Sequence, residues 1–436
     1  MRKNETEEPG YGVRSSRIWT RLLGVDKTVI EGVEVEEAED GDDEGGDPLI
    51  VVHARPARGR KQRCGICERR CAKYDGGEGR RRWRALDLGT LQAVIEADAP
   101  RVSCPEHGVT VAHVPWARHG AGHTRAFDDT VAWLATHCSK TTVTQLMRIG
   151  WRTVGSICAR VWASVTERVD LLAGLRRIGI DEISYKKHHK YLTIVVDHDT
   201  GRLVWAAPGR DADTLRGFFD LLSEDRSKKI THVTADAADW IAKVVAERCP
   251  NAVRVMDPFH TVQWATDALD EVRRTVWNAE RGGKGRATRG SKSLKKARFA
   301  LWKNPEDLTA GQRAQLTFIA KAHPTLHRAY LLKEGLRVAL KQGENIAEAL
   351  WDWVTWARRC RLEPFVKLQR SIVKHWDAIV AAAEHGLSNG LVESMNTKIR
   401  LITRMAFGFT DPDALIALAM LSLGGHRPDL PGRQTA

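Results

Sequence analysis

The chain has 436 residues, 28% of them charged, with a formal net charge of +13. That length holds roughly two to four domains of about 100–200 residues, and the positive balance points to a polyanionic partner, since Lys and Arg gain free energy by releasing counterions from phosphates. No stretch approaches the ~20 uninterrupted apolar residues of a membrane span, and the opening "MRKNETEEPG" lacks the apolar core of a signal peptide, so a cytoplasmic protein without a membrane partner is expected.

Residues 1–50 read as an acidic N-terminal segment, in which "EGVEVEEAEDGDDEGGD", residues 31–47, is expected to be a solvated loop or tail. Residues 51–117 carry the one closely spaced cysteine group. Cys64 and Cys67 stand as C-x-x-C, Cys104 and His107 as C-x-x-H, and "WRALDLG" and "LQAVIEA" between them read as two strands joined at "LGT". Four such ligands in tetrahedral array suit Zn2+, and with no position open to water the metal would hold the fold rather than catalyse. Cys71 is a spare ligand able to replace His107; Cys138, Cys158, Cys249 and Cys360 sit among apolar neighbours as small core residues.

Helical spacing takes over in residues 118–172. One helix runs over Phe127, Val131 and Leu134, a second over Val143, Leu146 and Met147, and after the turn "IGW" a third over Val154, Ile157, Val161 and Val165. This is a helix-turn-helix outline, though an ordinary helical hairpin has the same pattern. From residue 176 to 262 the order is three strands ("RRIGID", "YLTIVVDHD", "GRLVWAAP"), a helix, the strand "KITHVTAD", a helix and the strand "NAVRVMD". That succession is the order of an RNase H-like α/β core. Residues 263–385 read as a helical, tryptophan-rich insertion containing a basic glycine-punctuated loop, and residues 386–436 as the return of the core.

Asp181 ends the first strand of this core and Asp236 the fourth. Where those strands are neighbours the two carboxylates converge, and their repulsion is relieved by a shared divalent cation. Asp257, at the end of the fifth strand, is the alternative second ligand, and its neighbour His260 reads as a capping or core residue. In "NGLVESMNTKIRLITRM", Val392, Met395, Ile399 and Ile402 form a core-facing stripe, leaving Glu393, Asn396, Thr397, Arg400 and Arg404 on the polar face. Two cations about 3.5–4 Å apart, held by Asp181, Asp236 and Glu393, activate a water or 3′-hydroxyl against a phosphodiester. Asp181 would bridge the two; Glu182, next to it on a strand, is expected on the opposite face. Lys186, Lys187, Arg400 and Arg404 are the candidates for steadying DNA phosphates.

Taken together, the cysteine group, the helix-turn-helix, "GIDEISYKK", "TADAADWI", "RCPNAVRVMDPFH" and "NGLVESMNTKIRLITRMAFGF", in that order over residues 60–425, resemble the ISL3 family of bacterial insertion-sequence transposases, of the DDE class. The resemblance implies an RNase H-like catalytic domain interrupted by a helical insertion, with Asp181, Asp236 and Glu393 in the acidic triad positions. It further implies Mg2+, or Mn2+ as substitute, and recognition of terminal inverted repeats in double-stranded DNA. Cleavage of the strands and their joining to target DNA follow, by an assembly of at least two copies. The rival expectations are a metal-dependent nuclease that cuts without joining, and a non-catalytic DNA-binding regulator.

Overall fold

A computed structural model describes residues 12–37, 47–186, 190–281 and 289–433. The chain divides into two compact units, Met1–Val169 with Ile402–Ala436, and Asp170–Leu401. None of the helices in the described residues is long and apolar enough to cross a membrane.

The first unit opens with α1 (Gly12–Leu22), β1 (Thr28–Glu36), β2 (Leu49–Pro56), β3 (Ala72–Asp75), β4 (Arg80–Arg84), β5 (Gln92–Asp98), β6 (Arg101–Cys104) and β7 (Gly108–Val111). These strands form one sheet in the order β1-β2-β5-β4 and another in the order β3-β6-β7. The expectation of a solvated loop from residue 31 is corrected here: residues 31–36 lie in β1, antiparallel to β2 with Val33 opposite Val52 and Val35 opposite Ile50. Ile30 and Val33 pack on a core of Val52, Ile95, Trp83 and Trp116. The intervening carboxylates meet bases on the sheet, Glu31 on Arg55, Glu34 on His53 and Glu36 on Arg82. Charge density suggested solvation because the sequence does not display those cross-strand partners. Residues 38–46 of the acidic run lie outside the described residues.

A second correction concerns the two strands between the ligand pairs. They exist as β4 and β5 and pair antiparallel, but they belong to the larger sheet. Trp83, Ala93, Ile95 and Ala97 need a wide apolar surface and find it there, whereas the β3-β6-β7 sheet buries little beyond Val102 and the cysteines.

Next come α2 (Arg125–Ala135), α3 (Lys140–Met147) and α4 (Trp151–Thr166). Thr124 and Ser139 start α2 and α3 by accepting from the N–H groups of Phe127 and Thr142, satisfying donors that a helix end leaves free. Arg148, at φ 51°, ends α3 in the left-handed conformation and turns the chain toward α4. Val143, Met147, Val154, Ile157 and Val161 are buried as the spacing requires, while Leu146 is exposed.

The second unit contains β8 (Arg177–Lys186), β9 (Lys190–Asp197), β10 (Arg202–Pro208), α5 (Ala212–Leu222), α6 (Glu224–Ser227), β11 (His232–Thr234), α7 (Asp239–Arg248) and β12 (Val253–Val255). The sheet order is β10-β9-β8-β11-β12. The first three strands are antiparallel, and β11 and β12 run parallel to β8, which is the RNase H-like arrangement. Leu192, Ile194, Val195 and Val196 of β9 are all buried, as a strand covered on both faces must be.

From β12 the chain enters α8 (Pro258–Arg281), α9 (Arg289–Trp302), α10 (Ala310–Ala322), α11 (Pro324–Ala339), α12 (Ile346–Arg359), α13 (Glu363–Lys374) and α14 (Trp376–His385). These helices share a core that includes Leu269, Leu301, Leu336, Trp353 and Phe365. Lys333 is buried within them because its ammonium donates to the carbonyls of Leu301 (3.0 Å) and Lys303 (3.3 Å) at the end of α9 and pairs with Glu334. Helix α14 lies against β12, where Met256 N–H donates to Ala378 O.

α15 (Gly390–Met405) and α16 (Pro412–Leu423) close the chain. The expectation that all of residues 386–436 return to the catalytic core is corrected at α16, which packs on α4 and α2 within the first unit. The cause is complementarity: α16 is almost wholly apolar, and α4 offers it the small residue Gly155, where an added Cβ would sit 3.8 Å from Ala414 Cβ.

Candidate metal centres

The parallel pairing of β8 with β11 sets His232 beside Arg177, Val233 beside Ile178 and Thr234 beside Gly179. Continued two residues past the last ladder pair, that register brings Asp236 beside Asp181. The Asp181 carboxylate is fixed on both oxygens: Oδ1 accepts from the N–H of Glu182 (2.8 Å) and Oδ2 from Asn396 Nδ2 (2.7 Å). Asp236 Oδ1 accepts from Ala238 N–H at 3.0 Å.

The structure corrects the exclusion of Glu182. Asp181, Glu182 and Asp236 offer carboxylate oxygens that all lie within 4.8 Å of one another. Alternation along a strand fixes where each Cβ points, but β11 stops at Thr234, and beyond it the Asp236 carboxylate lies within reach of both Asp181 and Glu182. The longer Glu182 side chain reaches the same place, tethered by Arg210 Nε at 3.3 Å. Burial pushes Asp181 up to about 6 and Glu182 up to about 7, and the charge of Asp236 adds to both. Three carboxylates this close and partly withdrawn from water are the donor set a hard divalent cation takes.

Glu393 stands on α15, outside that group, with its side chain 44% exposed and its carboxylate 4.0 Å from His260 Nε2. His260 also acts electrostatically on Asp181, favouring its ionised form. Helix α15 is seated by two contacts. Asn396 is only 3% exposed and binds Asp181, and Val392 packs so closely on Gly179 of β8 that a Cβ there would lie 2.4 Å from Val392 Cγ2.

Asp257 is placed differently. It is 5% exposed, and its two oxygens accept from the N–H groups of Phe259 (2.8 Å) and Asn389 (2.9 Å), so its carboxylate caps α8 and holds the residue before α15. Lys186, Arg400 and Arg404 are exposed; Lys187 lies outside the described residues. Sequence reasoning missed Asn396, Glu182 and Arg210. Asn396 did carry a signal, standing one turn after Glu393 on the polar face, but nothing there marked it as buried.

In the first unit, Cys64, Cys67, Cys104 and His107 bring their ligand atoms within 4.8 Å of one another. Cys67 Sγ is 3.8 Å from Cys104 Sγ, and His107 Nδ1 is 3.7 Å from Cys64 Sγ and 3.6 Å from Cys104 Sγ. A tetrahedron with Zn–S near 2.3 Å and Zn–N near 2.0–2.1 Å has edges of about that length. Ile66 N–H points at Cys64 Sγ. Burial pushes the Cys104 thiol up, but the N–H groups of Glu106 and His107, the His107 ring and Cys64 together bring it down to about 6, the direction a metal-binding thiolate needs. Gly65 is required by close approach: a Cβ would meet His119 Nδ1 at 2.4 Å and Val111 O at 2.5 Å. Cys71 is not in the group; its thiol donates to Arg69 O.

A zinc knuckle, a helix-turn-helix and an RNase H-like sheet with clustered carboxylates form the domain set of a transposase. Comparison with known families agrees: residues 178–419 match the ISL3 DDE family model described as transposase, residues 112–162 match the helix-turn-helix domain of transposase family ISL3, and residues 60–107 match the zinc-finger of transposase IS204/IS1001/IS1096/IS1165. The chain is 58% identical over 440 residues to the transposase for insertion sequence element IS1557 of Mycobacterium tuberculosis, in the CDC 1551 and H37Rv strains alike, covering 97% of this chain and 98% of the relative. It is 26% identical over 392 residues to the transposase for insertion sequence element IS1001 of Bordetella parapertussis, covering 88% and 93%. The chain belongs to the ISL3 family of transposases.

Proposed function

We propose that this protein cleaves DNA at the terminal inverted repeats of its insertion sequence and joins the freed ends to target DNA, with Asp181, Asp236 and Glu393 as the acidic triad. The observation that carries the reading is the β8–β11 register, which brings Asp181 and Asp236 together on one rigid sheet end, with α15 bearing Glu393 docked beside them. Two Mg2+ ions, once bound, supply charge for the attacking and leaving oxygens of a phosphodiester. The residues do the rest. Asp181 is held in one orientation by Asn396 and its own neighbouring N–H, Asp236 by the turn into α7, and Glu182 adds a further oxygen under Arg210. Lys186, Arg400 and Arg404 would hold the phosphate backbone, the zinc ribbon and helix-turn-helix would bind the element ends, and two or more copies would assemble on DNA.

The test is incubation of the purified chain with labelled element ends, a target plasmid and Mg2+. Cleaved ends covalently joined to the plasmid are expected. Cleavage without joining supports the nuclease alternative, and DNA binding with no cleavage supports the regulator.

Asn396→Ala removes the side chain that sets Asp181 and should lower the cleavage rate about 10–100-fold, the usual cost of losing a partner that orients a metal ligand. Asn396→Asp should not restore it, because a second carboxylate faces Asp181 with repulsion. A rate unchanged in Asn396→Ala would remove the residue from this role.

The raised carboxylates also fix a pH dependence. Asp181 and Glu182 bind protons more tightly folded than unfolded, so their favourable contribution is complete below the ordinary range near 4 and is lost as pH rises through about 6 and 7. Mg2+ should therefore raise the melting temperature more at pH ~8 than at pH ~5, and Asp181→Asn should shrink the difference, leaving the part that Glu182 contributes. Equal shifts at both pH values would count against a cation at this site.

A further inference from the structure

Phe407, in the turn between α15 and α16, combines two unfavourable features. Its φ of 50° lies in the left-handed region, which bulky side chains avoid. Its side chain is 85% exposed, ahead of Leu221 at 65% among large apolar residues of the described chain. The other non-glycine residues with positive φ in the described chain are all polar or charged, Arg148 and Ser223 among them. Strain and apolar exposure thus fall on the same aromatic residue.

The turn is held on both sides. Phe407 N–H donates to Arg404 O at 3.0 Å and Gly408 N–H to Thr403 O at 2.8 Å. Two residues on, Phe409 is buried with Lys140 Nζ 5.9 Å from its ring centroid. With Phe409 anchored, the backbone directs the Phe407 ring into solvent. Arg404 lies exposed within one turn of it, with Arg400 a further turn back on α15, and neither has a carboxylate partner among the described residues.

An exposed aromatic ring on a braced turn, one helical turn after an exposed arginine with no carboxylate partner among the described residues, has the parts of a nucleic-acid stacking site, the ring for a base and the cation for a phosphate. Bases inside a duplex already have both faces covered. We infer that Phe407 stacks on an unpaired base of bound DNA while Arg404 takes the adjoining phosphate; this rests on the reading of the protein as one that acts on DNA ends. The backbone that carries the ring is set by the turn before DNA arrives, which lowers the ordering cost of that contact.

The experiment measures equilibrium binding of the full chain to a blunt duplex and to the same duplex carrying a thymidine single-stranded tip. Wild type should prefer the tipped duplex. Phe407→Ala should lose about fivefold or more on the tipped duplex and nothing on the blunt one, and Phe407→Trp should retain the preference. Phe407→Gly should melt no lower than wild type, since glycine adopts this φ without strain; a lower melting temperature means the ring is structural and overturns the inference. So does Phe407→Ala behaving as wild type on the tipped duplex, losing equally on both, or changing only the self-association of the protein, which would mark a protein interface. A wild type that binds neither duplex defeats the DNA reading itself; one that prefers the tip regardless of residue 407 defeats only the stacking role.

Discussion

Asp181→Asn should reduce strand cleavage by at least about 10²–10³-fold, the scale for removing one group that stabilises transition-state charge, while leaving DNA binding intact. The substitution is nearly isosteric, and the amide oxygen it introduces can still accept from the N–H of Glu182; what disappears is the negative charge that a cation needs and the second oxygen that accepts from Asn396. Asp236→Asn should match it. Asp257→Asn should behave differently. Its carboxylate is buried and accepts two backbone N–H groups, one on each oxygen, so Asn weakens one charge-assisted bond of about 1.5–3 kcal/mol and removes the acceptor of the other. The effect should register first as a lower melting temperature. If Asp257→Asn instead melts like wild type and cleaves nothing while Asp236→Asn stays active, the second acidic position belongs to Asp257.

Cys64→Ser should release the zinc and, with it, specific binding of element ends. Cys64 is fully buried, and the small β3-β6-β7 sheet has almost no apolar core of its own. Structural zinc contributes about 10–16 kcal/mol of apparent free energy in isolated finger peptides, far more than those few side chains can replace. Metal analysis should fall from one zinc per chain to none, and affinity for end DNA should drop about tenfold or more. Cys71→Ser should keep its zinc. Zinc retained in Cys64→Ser but lost in Cys71→Ser would exchange the two ligands.

Those elements were legible in the sequence whose chemistry is local. C-x-x-C and C-x-x-H each make one knuckle, the three-and-four spacing marks α3 and α4, and the succession of strands and helices from β8 to β12 follows from apolar runs between turns. What escaped depends on partners distant in sequence. The strand β1 is acidic because Arg55, His53 and Arg82 wait across the sheet. Strand alternation sets Glu182 aside, but that rule places Cβ atoms and is silent about where a long side chain reaches past the end of a neighbouring strand. Asn396 shares a polar helix face with Glu393, and only the docking of α15 on β8 separates the buried amide from the half-exposed acid. Helix α16 could be recognised as apolar, but the surface that buries it could not.

The two bonds made by Asp257 have a consequence for how such a protein can change. One oxygen holds the first turn of α8 and the other holds Asn389, 132 residues later in sequence, so the whole excursion through α8–α14 leaves and rejoins the sheet at a single carboxylate. Its entry and exit are pinned side by side whatever lies between them. With entry and exit fixed at this carboxylate, a change of length in the helices between α8 and α14 need not displace α15, while α14 stays tied to the sheet through Met256 and Ala378 and α8 keeps His260 by the acidic residues.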